Sequence, residues 1–135
     1  MKHQDVTDRV IAAFYDVYNA LGWGFVEKVY QKAMAHELRK RGVQVNSQEK
    51  IDVFYDGICV GEFYADMLVE GCVIVELKAV ENVLPDHEVQ LVNYLKATTV
   101  DVGLLLNFGR KPLIRRKIFE TARKITSQPS EPVPF

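Results

Sequence analysis

The run Tyr64-Ala65-Asp66-Met67-Leu68-Val69, the connection Glu70-Gly71-Cys72 and the run Val73-Ile74-Val75-Glu76-Leu77-Lys78-Ala79 decide the fold. Both runs are apolar enough for buried strands, yet the second carries Glu76 and Lys78. Side chains alternate along a strand, so charges two residues apart share one face. Buried without partners, they would cost several kcal/mol. Asp66, on the preceding strand, is the natural third member. A strict two-residue turn would set Asp66 opposite Val75 and point it away from Glu76. A three-residue connection sets Asp66 opposite Glu76, Leu68 opposite Ile74 and Tyr64 opposite Lys78. That register matches polar with polar and apolar with apolar, and it is the one expected here.

In this register two carboxylates face each other roughly 5 Å apart at Cβ. Like charges that close raise each other's pKa unless a cation lies between them. A hard, oxygen-seeking ion such as Mg²⁺ or Mn²⁺ suits a set without cysteine or histidine. Lys78, on the same face, can orient an attacking water or steady a developing phosphoryl charge. Metal and lysine together point to phosphodiester hydrolysis. The competing reading, a solvated edge salt bridge between Glu76 and Lys78, fits poorly with the strongly apolar flanks.

Upstream, Thr7 is the expected N-cap of a helix to about Leu21, with Val10, Phe14, Val17, Tyr18 and Leu21 on its apolar face. Gly22-Trp23-Gly24 breaks it. A second helix is predicted from about Phe25 to Arg41, burying Val26, Val29, Tyr30, Ala33, Met34 and Leu38. Its end, Arg39-Lys40-Arg41-Gly42, suits a helix C-terminus. Val43-Gln44-Val45 reads as a short edge strand. Ile51–Tyr55 and Ile58–Tyr64 flank Asp56-Gly57, a two-residue hairpin signal. The second arm continues to Val69, with Gly61 a bend or bulge.

Downstream, Pro85 opens a helix to about Ala97, with Val89, Val92 and Leu95 expected inward. Val102–Leu106, apolar on both faces, reads as an interior strand. The intervening helix has the length of a right-handed crossover, which makes this strand parallel to Val73–Ala79. Ile114–Phe119 reads as a last strand. The expected fold is thus α/β, a mixed sheet flanked by helices in the approximate order ααββββαββ. One domain over residues 1–125 is expected, with a flexible tail over 126–135 that holds three of the five prolines.

Composition is that of a soluble globular protein, 48% hydrophobic and 26% charged, with net charge -1. No secretory leader or membrane-spanning run is visible, and Cys59 and Cys72 make no metal pattern with the histidines. A cytoplasmic setting and no membrane association are expected. From Arg110 onward seven Lys/Arg stand against two Glu, so the chain's end is locally basic. No Gly-rich phosphate loop or nucleophile–histidine arrangement supports a cofactor enzyme.

Asp66 followed by Glu76-x-Lys78 on consecutive strands resembles the motif of the PD-(D/E)xK nucleases, the restriction-endonuclease-like superfamily. Ala65 stands where that motif has its proline. Gly24-Phe25-Val26-Glu27-Lys28-Val29-Tyr30 matches the motif that names the GxxExxY protein family within it. The likeness continues through Ile74–Glu81, Pro85–Leu95 and Gly103–Gly109, over roughly residues 5 to 120. The resemblance implies that Glu27, in the first turn of its helix, completes the metal site with Asp66 and Glu76. Without it, a carboxylate there is simply favoured by exposed N–H groups. Tyr30 reads as a buried structural tyrosine.

Gln90 and Tyr94, four apart on one helix face, match the Q-x-x-x-Y element of RecB-like members, where they reach toward the active site or substrate backbone. His87 reads as a capping residue. Asn107 and Arg110, with Lys111, Arg115 and Arg116, are candidate contacts to nucleic acid, DNA ahead of RNA. The enzymatic reading competes with a binding or structural module acting through a protein partner or as a homodimer. Trp23, Phe25 and the tail would offer it apolar surface, although Trp23 also reads as a cover over the core between the first two helices.

Overall fold

A computed structural model describes residues 1–120. The elements are α1 (Gln4–Leu21), α2 (Glu27–Lys40), β1 (Val45–Tyr55), β2 (Ile58–Val69), β3 (Val73–Lys78), α3 (Pro85–Lys96), β4 (Val102–Phe108) and β5 (Pro112–Ile118). They form one five-stranded sheet in the order β1-β2-β3-β4-β5. β3 and β4 are parallel, joined through α3, and every other neighbouring pair is antiparallel. The mixed α/β architecture is the one expected. The tail expected over 126–135 lies outside the described residues.

Each interior strand serves two cores. Val73, Val75 and Leu77 of β3, with Leu104, Leu106 and Phe108 of β4, pack against α1 and α2. Ile74 and Leu105 face Leu91 and Leu95 of α3. β4 is buried throughout, as its two apolar faces predict. Gly103 brings α3 down onto it, since a Cβ there would come within 2.7 Å of Leu91 Cδ1. Pro85 occupies the first turn of α3, where its missing N–H costs nothing.

Several boundaries differ from expectation. α1 starts before Thr7, which is buried inside the helix with its Oγ1 donating to the Gln4 carbonyl at 3.1 Å. Val6 extends the apolar face and carries the helix back. α2 starts only at Glu27, which leaves Val26 outside it and 70% exposed. On α3 the inward residues are Leu91, Tyr94 and Leu95, while Val89 faces solvent.

The two strands expected at Val43–Val45 and Ile51–Tyr55 are one strand, so three strands rather than four precede α3. Gln48, with φ 53°, carries the chain through what looked like a gap. The hairpin turn at Asp56-Gly57 is confirmed, with Tyr55 paired to Ile58 and positive φ at both turn residues. Register shifts beside Gly61, where Val53 pairs with Gly61 but Phe54 with Cys59.

Candidate active site in the fork of the sheet

β2 and β3 pair in the register expected from the three-residue connection, with Leu68 opposite Ile74 and Val69 opposite Val73. Glu70 and Gly71 both have positive φ, and the Cys72 N–H closes the turn on the Val69 carbonyl at 3.0 Å. The ladder is short and ends at Met67–Val75. Just beyond it side chains replace the backbone partners. The Asp66 N–H donates to Glu76 Oε1 at 3.2 Å, and the Leu77 N–H donates to Asp66 Oδ2 at 2.8 Å. The two acids therefore fill a fork between diverging strands.

The facing of β2 changes at this point. Ala65 packs toward α3, whereas Met67 packs toward α1 and α2. In an uninterrupted strand these residues would share a face. On β1 the same switch occurs between Val45 and Ile51, across the left-handed Gln48. Pairs on either side bracket Gln48 against Asp66. The break lets Asp66 reach α2 on one side of the sheet while it contacts Glu76.

Asp66 and Glu76 are 9% and 7% exposed. Burial, then the charge of Asp66, pushes the Glu76 carboxyl up to about 9, against the opposing Asp66 N–H and Lys78 charge. Burial also raises Asp66, opposed by hydrogen bonds from the Leu77 N–H, Glu76 and Gln48 and by the charge of Lys78. Both shifts oppose ionisation of the two acids together, and Glu76 is pushed the further toward its protonated form. Glu27 is raised by burial and by Asp66, with Lys78 and Gln31 opposing. The half-buried Lys78 makes no ion pair within 4.0 Å among the described residues, so the simple Glu76–Lys78 salt bridge is absent.

Gln31 organises the α2 side. Its Nε2 donates to Glu27 Oε1 at 3.2 Å and to Asp66 Oδ1 at 2.9 Å, so one amide nitrogen stands between these carboxylates. Neither Gln31 nor Gln48 was singled out in the sequence. The legible signal for Gln31 is its position four residues after Glu27, on the same helix face. On the α3 side Gln90 Nε2 donates to the Tyr94 hydroxyl at 2.5 Å. Burial first, and then the charges of Glu76 and Asp66, raise the Tyr94 hydroxyl. The Q-x-x-x-Y pair thus stands within electrostatic reach of the acids.

Other expected contacts are committed elsewhere. Asn107 is buried, accepting from the Val80 N–H at 3.0 Å and donating to its carbonyl at 2.8 Å. It clamps the chain leaving β3 and is not available to a phosphate. Asn107→Ala should strand both Val80 groups and cost about 2–3 kcal/mol in urea unfolding; an unchanged midpoint would refute the clamp. Arg116 donates to Thr7 Oγ1 and the Lys2 carbonyl, and Arg115 and Lys117 approach Glu88. Trp23 is 55% exposed and lies under Arg110, not over the core.

Tyr30 is the expected structural tyrosine, buried, stacked on Phe108 and donating to the Gly22 carbonyl at 2.7 Å. His87 caps α3, its Nδ1 accepting from the Leu84 N–H at 3.1 Å.

A second group of donors lies on the β1–β2 hairpin, where ligand atoms of Asp52, Cys59 and Glu62 fall within 4.8 Å of one another and could hold a divalent metal. Lys50 Nζ already stands 3.6 Å from Asp52 and 3.4 Å from Glu62, so these acids have a cation. The fork offers a buried carboxyl pair that lacks one within 4.0 Å among the described residues.

The PD-(D/E)XK nuclease superfamily model matches residues 4–118. The chain belongs to this superfamily. No curated protein and no solved structure matches it. The matched stretch takes in the fork with Asp66, Glu76 and Lys78. No helix among the described residues is long and apolar enough to cross a membrane.

Proposed function

We propose that this chain is a metal-dependent nuclease of the GxxExxY group, hydrolysing phosphodiester bonds in nucleic acid at the Asp66–Glu76 fork. One observation carries the reading: two buried carboxyls, each accepting a backbone N–H from the opposite strand, lie at the end of an interrupted ladder beside a lysine that makes no ion pair among the described residues. A purely structural fork would be more stable with apolar residues or a closed ion pair. Oxygen-only donors fit Mg²⁺ or Mn²⁺. When bound by Asp66 and Glu76, with Glu27 beside them, such an ion supplies charge neutralisation and an acidified water.

The remaining work falls to the chain's own groups. The Leu77 N–H fixes the Asp66 carboxylate, and the Asp66 N–H fixes Glu76. Lys78 brings a positive charge to the carboxylates, where it orients the attacking water or steadies charge on the phosphoryl oxygens. Tyr94, oriented by Gln90, has its own O–H to offer a substrate phosphate. The GxxExxY assignment is supported by Glu27 entering this site and Tyr30 anchoring its helix. A cytoplasmic setting fits the two free cysteines.

The test is cleavage of labelled single-stranded, duplex and branched DNA, and of RNA, in Mg²⁺ or Mn²⁺. Cleavage by the wild type that disappears with chelator and in Asp66→Asn is expected. The alternative, a module acting through a protein partner or a second copy, draws on exposed Tyr55, Ile58 and Val60 on the hairpin. Absence of cleavage on every substrate would favour it.

A further inference from the structure

A groove of about 1070 Å³ runs between α2 and β1, with Gln31, Gln48 and Asp66 at its inner end. Lys28, Lys32, Arg39 and Lys40 line it along one face of α2, with His36 between them. Asp66 is the single acid among its lining residues, on a chain whose net charge is -1. Among the described residues no ion pair or hydrogen bond engages the exposed Lys28 and Lys32 side chains. At the groove's far rim Arg39 is held by the Val45 carbonyl at 2.8 Å, and the exposed Lys40 pairs with Glu37 at 3.1 Å. The basic stretch after β4 is, by contrast, largely tied to Glu88, Thr7 and backbone.

From Lys28 to Lys40 the helix rises about 18 Å. Spread over that length, the groove's volume corresponds to a cross-section of roughly 60 Å². That admits one sugar–phosphate strand and is too narrow to take in a duplex. We infer that this α2–β1 groove is the track for a single nucleic-acid strand, gripped by its phosphates through Lys28, Lys32, Arg39 and Lys40 and led to Asp66. The inference rests on the nuclease reading for what lies at the end of the track. Grip by lysines on phosphates is independent of base sequence and strongly salt-dependent.

The test measures binding without hydrolysis, by anisotropy of a labelled 20-nucleotide oligothymidylate in chelator, across a salt series. Each phosphate contact to a single strand contributes about 0.7 to the slope of log K against log salt. Lys28→Gln/Lys32→Gln should lower the slope by about 1.4 and weaken binding at least tenfold at low salt. The charge-matched control Arg9→Gln/Lys96→Gln, outside the groove lining, should change neither, and a duplex of equal length should bind more weakly than the single strand. Equal effects in the two double variants, tighter binding of duplex, or no binding by the wild type would overturn the inference. Wild type that binds with the expected slope but never cleaves would overturn the nuclease reading alone. Cleavage with an unaltered slope in Lys28→Gln/Lys32→Gln would overturn the groove alone.

Discussion

Replacing Lys78 with Met should lower the rate of phosphodiester cleavage by at least 10²–10³-fold, the usual loss when one preorganised charge-stabilising group is removed. Met keeps much of the aliphatic stem, and among the described residues the ammonium makes no ion pair within 4.0 Å that the fold would lose. Thermal stability should change by less than about 1 kcal/mol, in the range of substitutions that break no buried pair. Mn²⁺ binding should persist, weakened or strengthened only modestly. Single-turnover kinetics on the best substrate, with Mn²⁺ titration of the same sample, separates the outcomes. Loss of metal binding with the rate would mean that Lys78 organises the carboxylates instead of acting on the substrate.

The second large effect is on stability and is read in metal-free buffer. Glu76 is raised from 4.5 to about 9 in the folded chain, chiefly by burial and then by Asp66. Between those values the folded state holds a proton that the unfolded state has released. Stability therefore falls as pH rises through this window and levels off above about 9. Glu76→Gln copies the protonated form: its amide can donate to Asp66 and its oxygen can accept the Asp66 N–H. The variant should match wild type near pH 4.5 and exceed it by up to about 5 kcal/mol at pH 8. Adding Mg²⁺ should stabilise wild type and leave the variant unmoved. Urea melts at both pH values decide it. A variant less stable than wild type at pH 8 would mean that the pair is not strained.

The register around Asp66 and Glu76 was legible because turn length and polarity have to agree over several positions. Leu68 meets Ile74 only if Cys72 belongs to the connection, and the same shift aligns the acids. The crossover helix and the parallel β3–β4 pair were legible from periodicity and length. Strand β1 was not, because Asn46, Ser47, Gln48 and Glu49 form a polar run with no alternation. That run is tolerated in an edge strand whose middle turns over at Gln48. Gln31 was hidden because a polar residue on a mostly polar helix carries no mark until the sheet places Asp66 beneath it. The basic groove was hidden for a related reason. Arg39 and Lys40 close a helix as any basic C-terminus does, and only β1 lying alongside turns the stripe from Lys28 to Lys40 into the wall of a channel. Asn107 and Arg116 were misread for the opposite reason: their types suit phosphate, but Val80, Thr7 and Lys2 already occupy them.

The most direct test of the fork as the metal-dependent centre is a calorimetric Mn²⁺ titration of three proteins: wild type, Glu76→Gln, and the hairpin variant Asp52→Asn/Glu62→Gln. The fork predicts binding by wild type and the hairpin variant and its loss in Glu76→Gln. Binding that survives in Glu76→Gln and disappears in the hairpin variant would place the metal on the exposed hairpin and contradict the account.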